Sequence, residues 1–328
     1  MNTNLIISEE TFAGLESKYL QTDTNLNWNL VFTTPAWLEV WWQSFGAGST
    51  LHLRAVSQNN RLIGIAPLQL KNSTASIVGN VDVCDYQDFV IVPGKEAEFF
   101  NAVLDDLLQR NISDLHLETI RADSTIVNYL IPLAQARGYK LEYQQSDVSS
   151  DMALPKTWED YLAGLDGKQR HELRRKIRNL ETLGEYRYRC ISALGEMPAA
   201  IETFLKLFPE SRGDKAQFMT SEMQNYFSNL TLSLASTGAV RFGILEFSGK
   251  PVAMVMYFDY NNSIYLYNSA YDPEYRTLSV GLISKAGCIR DSLEKGKVRF
   301  DFLKGPEQYK AYLGGTTIPL YSCHITLK

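Results

Sequence analysis

The chain has 328 residues, 45% of them hydrophobic and 21% charged, a balance that argues against a disordered chain and suits two domains of roughly 150 residues. Its net charge of −5 supplies no global positive field, so DNA is not an expected partner and any anion site has to be local. Cys84, Cys190, Cys288 and Cys323 form no C-x-x-C pair, and His52, His116, His171 and His324 lack ligand spacing, which excludes a zinc site and a disulfide framework.

Taken in order, residues 1–30 read as a short strand near 5–7 and a helix around 9–19. Thr34-Pro35 is an N-cap followed by proline at the first helical position. It opens a helix carrying Trp37, Trp41, Trp42 and Phe45, which Gly46 closes. Strands at 51–57 and 61–70 make a hairpin around Asn59-Asn60, a pair tolerant of positive φ. Strands at 75–78 and 88–92 flank a loop, 79–87, expected to cross a site. Residues 96–109 place Phe99, Phe100, Val103, Leu104, Leu107 and Leu108 on one helical stripe. Strand 114–119, helix 125–137 and strand 139–145 complete an alternating α/β half. The Ser-, Asp- and Pro-rich stretch 146–157 is the expected boundary, which predicts domains at 1–150 and 151–328.

The second half begins with helix 158–165, a basic helix at 168–183, strand 186–191 and helices at 198–207 and 221–236. A meander follows, with strands at 240–247, 251–260 and 264–270. Helix 280–294 carries Leu282, Ala286, Ile289 and Leu293 on its apolar stripe, and strands at 298–302 and 317–327 end the chain. The hairpin at 53–66 and that at 243–255 share one pattern, a strand, a polar turn and a strand with a small residue early, as an internal repeat would.

Four constellations point to chemistry. Arg276-Thr-Leu278-Ser279-Val280-Gly281 follows a strand and opens a helix, whose first N–H groups make an anion cradle. Ser279 and Gly281 permit close approach, and Arg276 adds a charge-assisted bond; the competing reading is an ordinary N-cap. A second stretch, Phe300-Asp-Phe-Leu-Lys-Gly-Pro-Glu-Gln-Tyr-Lys-Ala-Tyr-Leu-Gly-Gly315, joins Tyr309 and Lys310 to glycines on both sides. The third is the basic helix, on which Arg170, Arg174 and Arg178 recur at i, i+4 and i+8 and form one cationic flank. The fourth is the acidic loop Asp82-Val-Cys-Asp85-Tyr86-Gln-Asp88. Asp85 or Asp88 is a candidate base for an amine, with Tyr86 as a wall.

The spacing Arg276-x-x-Ser279-x-Gly281 resembles the Arg/Gln-x-x-Gly-x-Gly/Ala signature of the GNAT acyltransferases, with serine where that signature has glycine. Residues 166–178 and 300–315 resemble the GNAT-type acyltransferase-like family of cellulose and capsule biosynthesis, related to the Fem-type aminoacyltransferases. The resemblance implies an α/β fold of two tandem GNAT-like halves, with mixed, mostly antiparallel sheets flanked by helices. It also implies transfer of an acyl group from acyl-CoA to an amine. Arg276, Leu278, Ser279, Val280 and Gly281 would hold the pyrophosphate, and Lys310 would steady negative charge beside Tyr309. Arg170, Arg174, Arg178 and Tyr86 would face a small-molecule or nucleotide-linked acceptor, in a cleft between the halves. Two alternatives remain: an aminoacyltransferase drawing on aminoacyl-tRNA, and a silent scaffold in polysaccharide assembly. The first residues lack a basic n-region and an apolar h-region, and no apolar run reaches 18 residues, so a cytoplasmic chain with no membrane span is expected.

Overall fold

The structure, a computed structural model, describes residues 4–21, 24–211 and 213–328. The chain forms two compact units, 1–148 with 319–328, and 149–318. In chain order the first unit contains β1 (Leu5–Glu9), α1 (Phe12–Leu20), α2 (Pro35–Phe45), β2 (Thr50–Gln58), β3 (Arg61–Lys71), β4 (Thr74–Ile77), β5 (Val90–Ile91), α3 (Glu96–Gln109), β6 (Asp114–Arg121), α4 (Ile131–Ala136) and the start of β7 (Lys140–Ala153). Strands β1 to β4 pair antiparallel in sequence, β4 pairs parallel with β6, and the last strand of the chain runs antiparallel to β6.

The local reasons are legible. Asn59 and Asn60 turn the first hairpin at φ of 51° and 63°, the left-handed pair that a two-residue hairpin needs. Helix α3 buries Phe99, Phe100, Val103, Leu104 and Leu107, the expected stripe. Its Phe99 packs onto β3 at Gly64, where an added Cβ would stand 2.3 Å from the ring. Two expectations change. The strand at 88–92 shrinks to Val90–Ile91 because Asp88 turns toward Thr125 instead of joining a ladder. The helix at 125–137 opens as a π turn, Ile126–Leu130, before α4; Pro132 has no N–H to hold the tighter ladder there.

The second unit contains the end of β7, α5 (Trp158–Gly164), α6 (Gly167–Leu183), β8 (Tyr186–Ile191), α7 (Met197–Ser211), α8 (Gly213–Phe218), α9 (Ser221–Ser236), β9 (Val240–Phe247), β10 (Lys250–Tyr260), β11 (Ser263–Tyr271), α10 (Val280–Glu294), β12 (Arg299–Lys304), α11 (Gln308–Tyr312) and β13 (Thr316–Thr326), of which Pro319 onward belongs to the first unit. Strands β8 to β11 are antiparallel neighbours, β11 runs parallel to β12, and Ser149–Ala153 of β7 runs antiparallel to β12. Apart from the two-residue β5 of the first unit, the order strand, helices, three strands, helix, strand is the same in both units, in keeping with the shared hairpin pattern.

The polar stretch 146–157 is a strand as far as Ala153. Its backbone pairs with β12, and Arg299 reaches Asp151, so the Ser and Asp residues read as loop chemistry are ladder residues. Tyr161, Leu173, Tyr257, Ile289, Phe300 and Phe302 form the main core of this unit. Helix α10 is buried nearly all round: Ile283, Ser284, Lys285, Ala286, Cys288, Ile289, Ser292 and Leu293 are inside, whereas the expected Leu282 is half-buried.

Candidate active site

The second unit's sheet opens at one end. Strand β11 pairs with β12 through Ser263, Ile264 and Tyr265, and then runs on to Tyr271 while β12 runs to Lys304. The register of β11 against β10 slips by one residue at Tyr267, between the pairs Tyr257–Leu266 and Met256–Asn268. Such a bulge re-aims a strand next to a site. A 3₁₀ turn at Pro273–Leu278 then leads into α10.

The start of α10 is built from the predicted residues. Ser279 sits in the left-handed region at φ 58°, and its side chain does not cap the helix. Its hydroxyl instead accepts a bond of 2.9 Å from Lys176 Nζ of α6, so the basic helix does reach this turn, through a lysine and not through its arginine flank. The N–H groups of Leu282 and Ile283 turn to Ser279 O at 2.9 and 3.1 Å, leaving those of Val280 and Gly281 without an intrahelical acceptor. Val280 and Leu278 anchor the turn in a cluster with Leu180, Leu245 and Ile283, and Arg276 is exposed. Gly281 accommodates Tyr271, whose ring carbon would lie 3.3 Å from an added Cβ.

Lys310 is 2% exposed. Its ammonium donates to the carbonyls of Leu303, Lys304 and Gly305 at 2.9, 2.5 and 3.0 Å and lies 2.9 Å from Glu307. All three N–H bonds are engaged in its own loop. That loop needs a clamp, because Leu303 stands at φ 61°, a strained conformation for a bulky residue. Tyr309 turns its ring toward a different lysine: Lys285 Nζ of α10 sits 4.7 Å from the ring centroid.

Lys285 and Lys215 are the residues that sequence reasoning missed. Lys285 is 7% exposed and donates to Gly281 O at 3.0 Å. Burial first, and the charge of Lys215 second, lower its pKa to about 7. Lys215 of α8 donates to Ser269 O on β11, beyond the bulge, and covers the Phe208 ring at 4.6 Å. The available signal was local: Ile283-Ser-Lys-Ala-Gly-Cys-Ile289 is small or apolar on every face, a pattern of a helix buried all round that carries its lysine inside.

The arginine flank divides. Arg174 and Arg178 line a cavity of about 770 Å³ between α5, α6, β8 and α10, together with Trp158, Tyr188 and Arg290 and with the carboxylates Glu159, Glu181, Asp291 and Glu294. Arg170 turns back to α5 and donates to the carbonyls of Leu162, Ala163 and Leu165, of which Ala163 is nearest at 3.1 Å. It serves as a C-terminal cap for that helix.

The acidic loop belongs to the first unit. Asp88 accepts from Thr125 N and Phe89 N, each at 2.9 Å, and from the Thr125 hydroxyl at 2.5 Å. Desolvation outweighs these bonds and pushes its carboxyl up to about 6. Asp85 is half-buried. Tyr86 is 1% exposed, with Phe32 edge-on and the Arg121 guanidinium 5.1 Å from its centroid. Among the described residues no group of three or more His, Cys, Asp or Glu could hold a metal ion, and no helix is long and apolar enough to cross a membrane.

A parallel strand pair that parts, a bulge on β11 and a helix that starts after the following turn make up this end of the unit. Residues 167–311 match the acetyltransferase (GNAT) domain family. No curated protein matches the chain. Among solved structures, that of FemX superimposes with a TM-score of 0.68 at 12% identity, over 97% of this chain and 96% of the other. A conserved protein of unknown function from Bacteroides thetaiotaomicron gives 0.59 at 13%, over 98% and 100%. L-PGS from Bacillus licheniformis gives 0.51 at 12%, over 89% and 90%. At these identities the likeness is one of fold. The GNAT-domain match covers the basic helix, the Ser279 turn, Lys285 and the Lys310 loop together.

Proposed function

We propose that the second unit transfers an acyl group from acyl-CoA to an amine. The observation that carries the reading is the start of α10. Two N–H groups without an intrahelical acceptor, a left-handed serine held by Lys176, which also stands 3.4 Å from Glu172, and the exposed Arg276 adjoin a first helical turn that has no acidic residue. A pyrophosphate there would receive backbone N–H bonds, the helix dipole and charge-assisted contacts together. The acyl end would enter the gap beyond Tyr265, where β11 and β12 part. Transfer is direct, through a tetrahedral intermediate with no covalent enzyme adduct, because the orientation of donor and amine supplies most of the advantage. Lys310 acts indirectly, by fixing the turn at 303–305 that leads into α11, the helix that carries Tyr309. The acceptor is a small or nucleotide-linked amine, in keeping with the resemblance to proteins of polysaccharide assembly.

Calorimetric titration with acetyl-CoA and longer acyl-CoAs tests the donor, and an absence of heat at millimolar concentration removes coenzyme A. A second reading, with aminoacyl-tRNA as donor, draws on one observation: Arg174 and Arg178 are exposed and line a large cavity, whose wall also holds four carboxylates. It requires salt-sensitive retention of tRNA that is lost in the double variant Arg174→Glu with Arg178→Glu.

A further inference from the structure

Two buried lysines of the second unit are held in opposite ways. Lys310 has three carbonyls and a carboxylate around one ammonium. Lys285 is nearly as buried, yet its hydrogen-bond partner is the single carbonyl of Gly281, with the face of Tyr309 below it. An ammonium carries three donors, and a buried ammonium with one acceptor is poorly solvated. A neutral amine in the same place needs less and offers a lone pair.

The position matters as much as the state. Lys285 projects from the second turn of α10 to Tyr309, which follows β12, and feels the charge of Lys215, which is bonded to β11 at Ser269. It therefore lies where the two strands have parted, one turn beyond the N–H groups assigned to the pyrophosphate. We infer that Lys285 Nζ is the base that takes the proton of the acceptor amine, and that Lys215 is its positioning charge. The inference rests on the acyl-CoA reading above.

The step balances. The acceptor nitrogen bonds to the thioester carbonyl carbon, the C–S bond breaks, and coenzyme A leaves as thiolate. The proton lost by nitrogen goes to Lys285 Nζ and from there to the thiolate, which restores the amine. The groups that act on Lys285 are Lys215 from α8, Glu307 at the start of α11, Tyr309 within α11, and Cys288 on its own helix. Lys215 lowers its pKa while Glu307 and Cys288 raise it, and with burial the balance stands at about 7. A base is active when deprotonated, so its competence rises with pH through that value.

The test is NMR of the full chain carrying lysine labelled with carbon-13 at Cε, with Lys285→Arg to assign the signal and acetyl-CoA as the probe. The Lys285 signal should titrate near pH 7. Lys215→Met should move the midpoint up by about one unit, a tenfold change in proton affinity, which a merely structural lysine would not do. Saturating acetyl-CoA should displace the signal and leave its midpoint below 8 or so. A midpoint above 9 or so in the free protein overturns the inference. So does a rise above 9 or so on donor binding, which would make Lys285 a phosphate contact. A signal untouched by donor that calorimetry reports as bound overturns it too. Calorimetric silence with Lys285 titrating near 7 overturns the donor reading instead and leaves the lysine's poise standing.

Discussion

The two units place a helix at the same point of a repeated order, after three antiparallel strands, and they treat its positive end differently. Helix α3 in the first unit begins with its own acids: Glu96 and Glu98 lie in the first turn, Glu96 accepts from Gly94 N at 3.1 Å, and Lys95 pairs with Glu98 at 3.3 Å. The nearby start at Thr125 is closed in the same way by Asp88. Helix α10 has no acid in its first turn and has Lys176 and Lys285 beside it. A helix start that carries its own carboxylates has little left for an external anion, because the dipole and the free N–H groups are already answered. In the function proposed above, the repeat thus keeps one structural helix start and leaves another for a ligand.

The largest effect should come from removing what holds the open turn's neighbour in place. Lys310→Met leaves three carbonyls without their buried donor and Glu307 without its partner, and should cost about 3–5 kcal/mol, read as a lower urea midpoint at unchanged slope. The reverse holds for Lys285→Met. Its depressed pKa means that the unfolded chain binds the proton more tightly between pH 7 and the ordinary lysine value. That cost grows as pH falls through this window and is in full force below pH 7. Lys285→Met should therefore stabilise the protein at pH 7. A loss of stability in both variants would show that the two lysines are held alike.

Next is the conversion of one start into the other. Leu282→Glu puts an acid at the third position of α10, the place of Glu98 in α3. A carboxylate about 5 Å from a bound phosphate costs about 3 kcal/mol at the effective dielectric of a protein surface. Acetyl-CoA affinity should fall about 100-fold, while thermal stability stays or rises slightly, since an acid suits a helix start. Unchanged donor affinity would break the comparison.

These contrasts were only partly legible in the sequence. Helices Glu96–Gln109, Ser221–Ser236 and Val280–Glu294 and strand Tyr186–Ile191 fall where periodicity and caps put them; α3 has a one-sided apolar stripe, while α10, apolar nearly all round, is marked by its unbroken apolar run. The polar residues 146–153 gave no such pattern, since a ladder partner satisfies their backbone. The pairing of β13 with β6 is a contact over some two hundred positions, beyond the reach of local chemistry. At the site, Ser279 and Gly281 were visible through spacing. Lys285 was marked only by the small and apolar residues around it, with its contact to Tyr309 out of local reach, and Lys215 lies in a short helix, α8, that no periodicity marked.

The first unit offers a pH test of self-neutralisation. Asp88 titrates at about 6, above its ordinary 3.8, so the folded state holds its proton more tightly than the unfolded one. This group's contribution is fully present below pH 4 or so and is lost as pH rises to 6, by at most about 3 kcal/mol. Asp88→Asn should flatten that part of the stability profile measured by urea unfolding. An unchanged profile would mean that Asp88 is solvated, and that the start at Thr125 is not closed by it.

The smallest effect is the most pointed. Ser279→Gly relieves a non-glycine residue at φ 58°, worth about 0.5–1 kcal/mol, and removes the 2.9 Å bond from Lys176, worth about as much in a half-exposed setting. Stability should barely move. Lys176, freed from the hydroxyl and held then only by Glu172 at 3.4 Å, can turn part of its charge to the ligand, so acetyl-CoA should bind up to a few-fold more tightly. The gain should vanish in Ser279→Gly with Lys176→Met, a non-additivity expected of residues that touch. If Ser279→Gly weakens binding instead, the hydroxyl itself contacts the donor, and the open start of α10 works through its serine and not in spite of it.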